Sequence, residues 1–173
     1  MNTKIISAFP ACGKTYAFER LSKEGYKILD SDSSKFSWCY DCDSTNLEDV
    51  EKHRNPEFPD NYIQHIKENI GKVDYIFTSS HKEVRDALIA NGIYFTLVYP
   101  SRKMKAEWVG RCFLRRSGEK FCQLIADNWD NWIDEMEATE NCDKWVLGED
   151  DSIDLFDLDK YSYLSELIEK GLI

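Results

Sequence analysis

Apolar residues along this chain come in two alternating rhythms. Short runs rich in β-branched and aromatic side chains, TKIISA (3–8), YKILD (26–30), VDYIFT (73–78), IYFTLVY (93–99) and KWVL (144–147), read as strands. Between them, apolar positions recur three and four apart. Ala17, Phe18 and Leu21 form the face of a first helix that Gly25 stops. Tyr62, Ile63, Ile66 and Ile70 form the face of a second, opened by Phe58-Pro59 and ended by Gly71. Val84, Ala87 and Leu88 form a third, with Ser80 and Glu83 as a capping box and Asn91-Gly92 as the stop.

Two longer helices follow. One covers 103–116, with Met104, Trp108, Val109, Cys112 and Phe113 expected inward. The other covers 120–137, with Phe121, Leu124, Ile125, Trp129, Trp132, Ile133 and Met136 inward. YSYLSELIEKG (161–171) predicts a terminal helix. Strands alternating with helices predict one α/β domain over 1–173, a three-layer sandwich with a parallel sheet of about five strands and helices on both faces. The polar stretch 31–57 is long for a connector in such a domain, which marks it as functional.

Composition narrows the function classes. Lys plus Arg number 22 and Asp plus Glu 32, a net charge of −10, so the surface as a whole repels polyanions and a nucleic-acid partner is not expected. No apolar run approaches the length of a membrane span, and a cytoplasmic protein is expected. Six cysteines occur, at 12, 39, 42, 112, 122 and 142. Cys39 and Cys42 make a CxxC, but no second pair completes a metal site, so free thiols are expected. The acidic run EDDSIDLFDLD (149–159) lacks the glycine and spacing of a calcium loop.

The first strand runs into Ala8-Phe9-Pro10-Ala11-Cys12-Gly13-Lys14-Thr15, a phosphate-binding G-x-x-x-x-G-K-[ST] loop with alanine in its first position. Gly13 lets the backbone approach phosphates, and the N–H groups opening the next helix point at an anion. Pro10, Ala11, Cys12, Gly13, Lys14 and Thr15 are therefore expected to bind ATP. Lys14 would reach the β- and γ-phosphates, and the Thr15 hydroxyl would bind Mg²⁺. Ala8 is unstrained there if its φ is negative.

With SAFPACGKT in place, the chain resembles the P-loop kinases, in particular the small nucleoside and nucleotide kinases related to adenylate kinase, and also small bacteriophage-encoded phosphotransferases. The resemblance implies the phosphate-loop strand in the middle of the sheet, an acceptor pocket formed with the 31–57 segment, and an arginine-bearing lid over about 102–120. It implies a carboxylate at the end of the second strand, here Asp30 or Asp32, to take the acceptor's proton or hold Mg²⁺, Asp32 serving as the metal candidate. Six basic residues lie within 102–116, and Arg111, Arg115 and Arg116 are the candidates for phosphate contact. Phe36, Trp38 and Tyr40 stand where an acceptor base could stack, and Arg54 or Arg85 could meet an acceptor phosphate.

The third predicted strand ends Phe77-Thr78-Ser79-Ser80-His81 without the carboxylate found there in many P-loop proteins, which argues against a GTPase or motor ATPase. His81 reads as structural, and Trp129 and Trp132 as packing residues. The expected activity is transfer of the ATP γ-phosphate to a small-molecule acceptor. The preferred acceptor is a nucleoside monophosphate, including deoxynucleotides. The alternatives are a hydroxyl acceptor (nucleoside, sugar or 5′-hydroxyl nucleic-acid end) and a nucleotide-binding regulator without catalysis.

Overall fold

The computed structural model describes residues 2–40 and 52–148. Along the chain it contains β1 (Lys4–Ala8), α1 (Lys14–Lys23), β2 (Ile28–Asp30), α2 (Ser34–Ser37), β3 (Trp38–Tyr40), β4 (Lys52–Arg54), α3 (Asp60–Asn69) and β5 (Tyr75–Ser79). It continues with α4 (Lys82–Ala90), β6 (Thr96–Pro100), a 3₁₀ turn (Arg102–Met104), α5 (Lys105–Leu114), α6 (Glu119–Glu137) and β7 (Asp143–Leu147).

Five strands form one sheet in the order β2-β5-β1-β6-β7, all pairs parallel. The most apolar strands are its centre: Ile5, Ile6, Ile76, Phe77, Leu97 and Val98 are all buried, as strands covered on both faces must be. From β1 to β2 the chain moves one way across the sheet, and every later connection moves the other way. Right-handed crossovers then put α1 on one face and α3, α4 and the α5–α6 pair on the other. The register sets Ala8 beside Ser79 on one side and Val98 on the other, so β1 and β5 end level under the loop that follows β1 and β6 runs two residues further. Asp30 pairs with Phe77, two residues short of that level, so the chain after β2 rises past it.

The structure corrects several local expectations. The segment after β2 is not irregular throughout: it holds the short helix α2 and an antiparallel pair in which Trp38 faces Arg54 and Tyr40 faces Lys52. Ser80 does not cap the following helix. That helix starts at Lys82 with His81 in extended conformation at its N-cap, so Ser80 lies one residue too early and no side chain caps the end. Phe113 and Leu124 are 70% and 48% exposed, and Ile70, the residue capping α3, is 42% exposed, although their spacing points inward. The helix expected over 103–116 begins as the 3₁₀ turn and ends at Leu114. Cys42, the 149–159 run and the predicted terminal helix lie outside the described residues.

Candidate phosphate-transfer site

The loop between β1 and α1 is pinned from three sides. The Phe9 N–H donates to the Val98 carbonyl at 2.9 Å, and the Cys12 N–H donates back to the Phe9 carbonyl at 3.2 Å. The indole Nε1–H of fully buried Trp108, on α5, donates to the Pro10 carbonyl at 2.7 Å. The Phe9 ring packs edge-on against Trp129 and Trp132, centroids 6.0 Å away in each case. Trp129 and Trp132 are thus packing residues as expected, Trp129 fully buried and Trp132 half-buried against the core.

Backbone geometry explains which positions tolerate which residues. Ala8 sits inside β1, and it is not among the residues with positive φ, so alanine carries no strain there. Gly13, at the N-cap of α1, has φ 84° and ψ 16°, a left-handed conformation that glycine adopts without penalty. Ala11 shares that region with φ 63°, a costlier choice for a residue with a Cβ.

The start of α1 is prepared for an anion. No side chain caps it and no acidic residue stands in its first turn, so its leading N–H groups and the positive end of its dipole face outward. Lys14 Nζ donates to the Ala8 carbonyl at 2.8 Å, which folds the side chain back across the loop. Burial lowers the Lys14 pKa, a tendency that Asp30 and Asp32 oppose and Arg115 reinforces. Thr15 is exposed on the first turn of the same helix. Cys12 is fully buried with Sγ 3.8 Å from the Val98 carbonyl, and burial pushes its thiol up to about 12; its side chain is a packing element, and only its backbone is available to a ligand.

Asp30 and Asp32, inseparable in the sequence, have different occupations. Both Asp32 oxygens accept bonds from Ser34, one from its N–H at 2.9 Å and one from its hydroxyl at 2.8 Å, closing the turn into α2. Asp30 and Lys14 act electrostatically on each other. Partial burial raises its pKa above the ordinary value, Lys14 lowers it, and neighbouring Asp32 raises it again. Asp30 is therefore the better-placed proton acceptor, and Asp32 the better-fixed oxygen pair.

Beside them, β5 ends at Ser79 with no carboxylate at that end. Ser31 Oγ, Thr78 Oγ1 and Ser79 Oγ are buried hydroxyls without a hydrogen-bond partner among the described residues. Tyr62, pushed up to about 12 by burial, donates its hydroxyl to the Ser31 carbonyl at 2.7 Å and ties α3 to this edge. No group of three or more His, Cys, Asp or Glu side chains could hold a metal ion among the described residues. Mg²⁺ at this site would take Thr15, one of the two aspartates, phosphate oxygens and water, a donor set suited to a cation that keeps much of its hydration.

The basic cluster divides. Arg102 is bound to three acidic residues of α6, Asp130, Asp134 and Glu137, and its Nη1–H lies 3.2 Å from Asp130 Oδ1; it fastens the turn before α5. Arg111 stacks on Trp108 at 4.7 Å, pairs with Glu107, and acts electrostatically on Cys12. Arg115 acts on Lys14. These two stand near the loop; Arg116, with φ 56°, closes the end of α5 and is exposed. On the other side, Arg54 lies over Phe58 at 4.6 Å and Trp38 at 5.5 Å and pairs with Glu83 at the surface. Phe36 is packed against Tyr62 and His65, at 5.1 and 4.8 Å, so it is not available as a stacking platform. The Trp38 face already carries Lys52 at 4.5 Å.

A cavity of 370 Å³ opens next to Phe9 and Pro10, between the start of α4 and one side of α6. Arg85, 2% exposed, lies in its wall, bonded to the Thr139 hydroxyl at 2.5 Å and the Glu135 carbonyl at 3.2 Å. It is turned to α6 rather than to the Asp30 side. The sequence pattern gave no sign of this cavity, because Leu124, Trp132 and Met136 fall on the same helical spacing as core residues. Among the described residues, no helix is long and apolar enough to cross a membrane. The parallel sheet with the loop-bearing strand at its centre fits a P-loop-like fold, but no protein-family model and no curated protein matches the chain.

Proposed function

We propose that this protein is an ATP-dependent phosphotransferase of the nucleotide-kinase type, with a nucleoside monophosphate as acceptor. The observation that carries the reading is the pairing of an uncapped α1 N-terminus with Lys14 folded across the loop at Ala8, within electrostatic range of Asp30. ATP would supply the transferable phosphoryl group. The chain's own contribution is to hold and orient: the backbone N–H groups of Ala11, Gly13, Lys14 and Thr15 and the Lys14 ammonium for the phosphates, Thr15 with Asp32 for Mg²⁺, and Arg111, Arg115 and Arg116 for charge on the transferring group. Arg54 is the reachable cation for an acceptor phosphate, since an exposed ion pair such as Arg54–Glu83 exchanges at small cost.

A hydroxyl acceptor is the second reading, and Asp30 is what favours it. A carboxylate with a raised pKa beside Lys14 suits a general base, which an already anionic monophosphate does not need.

The test is ADP formation from MgATP with a panel of nucleoside monophosphates, nucleosides and a 5′-hydroxyl oligonucleotide, with Lys14→Ala as control. Lys14-dependent turnover with monophosphates supports the first reading, and turnover with nucleosides or the oligonucleotide the second. ATP binding without turnover for any acceptor would overturn both and point to a nucleotide-binding regulator.

A further inference from the structure

The cavity beside the phosphate loop combines features that packing alone does not require. Its apolar lining comes from Phe9, Phe121, Leu124, Trp132 and Met136, three of them aromatic. Its polar lining is Arg85 and Glu135, with Ser80, His81 and Lys82 from the start of α4. Lys14 acts electrostatically on His81, so this end of the cavity lies close to the transfer site.

Arg85 is the unusual element. A guanidinium that is 2% exposed should have its N–H groups satisfied, since an unpaired buried donor is costly. Its Nη1 is satisfied by Thr139 and the Glu135 carbonyl, but its Nε has no hydrogen-bond partner among the described residues. Its ion pair among the described residues is long, 3.5 Å from Nη2 to Glu135 Oε2, and the Glu135 side chain is 41% exposed. A buried donor and a carboxylate acceptor thus lie side by side in an aromatic-lined space. Its 370 Å³ falls within the range of small-molecule sites.

We infer that this cavity is the subsite for the base of the acceptor, with the planar ring against the aromatic wall. One ring acceptor atom would meet the Arg85 donor and one ring N–H the Glu135 carboxylate. The inference rests on the phosphotransferase reading for the identity of the ligand. It moves base recognition from α2 and the β3–β4 hairpin, where Phe36 and Trp38 are already engaged, to the cleft between α4 and α6. Stacking supplies affinity for any base, and the donor–acceptor pair selects among them. Sugars and sugar phosphates without a base would leave the pair and the aromatic wall unused.

The experiment is calorimetric titration of the full chain, without ATP, using the four deoxynucleosides, their 5′-monophosphates, and deoxyribose 5-phosphate as the base-free probe. The same titrations are run on Leu124→Trp, which crowds the cavity from a largely exposed position, and on Glu135→Gln. ATP is titrated separately into each protein, and thermal melts establish that the variants fold. The expected result is binding of at least one base-bearing probe, at least about tenfold weaker binding of the base-free probe, and a similar loss in Leu124→Trp with ATP affinity unchanged. Glu135→Gln should change the order of preference among the bases. Equal binding of the base-free probe, no binding of any base-bearing probe, or folded variants that bind as the parent does would each overturn the subsite. Failure of the phosphotransferase reading would show separately, as absence of ADP from MgATP with every acceptor while base binding persists.

Discussion

Lys14 Nζ donates to the Ala8 carbonyl at 2.8 Å, spanning the loop from the first helical residue back to the last residue of β1. The bond keeps a partly buried ammonium partnered, and under the proposed function phosphate oxygens would replace it with stronger, charge-assisted acceptors. Lys14→Ala removes the charge but leaves the Ala8 carbonyl and the loop backbone in place. The variant should melt within a few degrees of the parent, while turnover falls by roughly 10²-fold or more, as for loss of one preorganised charged donor. Parallel melting curves and initial rates check this; a variant with normal turnover would remove Lys14 from the site.

Asp30 and Asp32 should separate on mutation. Asp30→Asn removes a carboxylate that acts electrostatically on Lys14, and if the acceptor is a hydroxyl, kcat should fall by about 10²- to 10⁴-fold with ATP affinity nearly unchanged. Asp32→Asn disturbs the turn into α2, because an amide cannot accept both Ser34 bonds with two oxygens. Its expected signature is a stability loss of about 0.5–1.5 kcal/mol and a smaller kinetic effect. Denaturant melts and steady-state kinetics on the two variants decide the assignment; equal kinetic defects would contradict it.

The raised Asp30 pKa also fixes a sign. The folded protein favours the protonated carboxyl, so the charged form costs stability above the folded pKa, and that cost disappears below the ordinary value of 3.8. Asp30→Asn should therefore melt higher than the parent near neutral pH. The difference should be at most about 2 °C, because the group is largely exposed and solvent screens it, and it should close as pH falls toward 3.8. If the acceptor is a hydroxyl, acid-side loss of turnover in the parent should set in above pH 3.8, as Asp30 takes up its proton. Melting curves of both proteins from neutral to acid pH test it; a gap that widens on acidification would show the pKa shifted the other way.

Trp108 links α5 to the loop after β1 by one bond. Trp108→Phe keeps most of the buried ring and leaves the Pro10 carbonyl without its 2.7 Å donor. A cost of about 1–3 kcal/mol is expected for the unpaired acceptor and the small void. Because that carbonyl belongs to the loop, ATP should also bind several-fold more weakly, whereas a packing-only role would change stability and leave ATP affinity alone. Melts and ATP titration distinguish the two.

What the sequence made legible was the part set by local rules. Apolar runs that are nearly continuous, such as IYFTLVY and VDYIFT, became the central strands β6 and β5, because only a sheet buried on both faces tolerates them. The loop was legible because Gly13, Lys14 and Thr15 each meet a backbone or charge requirement. Period alone misplaced Phe113 and Leu124, since helical spacing does not tell a residue facing the core from one facing a cavity or solvent. The distinction between the two aspartates needed the Ser34 bonds, although the run of serines after Asp32 is a turn signal that points the same way. The Arg85–Glu135 pair was out of reach because it joins residues 50 apart in sequence through the packing of two helices.

The thiol inside the phosphate loop supplies the last prediction. Cys12 sits between the glycine and the proline of the loop, where a reactive thiol would make the protein sensitive to oxidation and alkylation. Its burial is complete and raises its pKa to about 12, so at pH 8 almost none is thiolate and no path brings a reagent to the sulfur. Cys39, at the hairpin and only half-buried, is more accessible. Brief iodoacetamide treatment of the native protein at pH 8, read by peptide mass spectrometry, should label Cys39 well before Cys12, and denaturation should equalise them. ATP binding should survive the native treatment. Early labelling of Cys12 would mean that the loop opens readily in solution, and the pinning by Trp108 and Phe9 would then be weaker than their contacts imply.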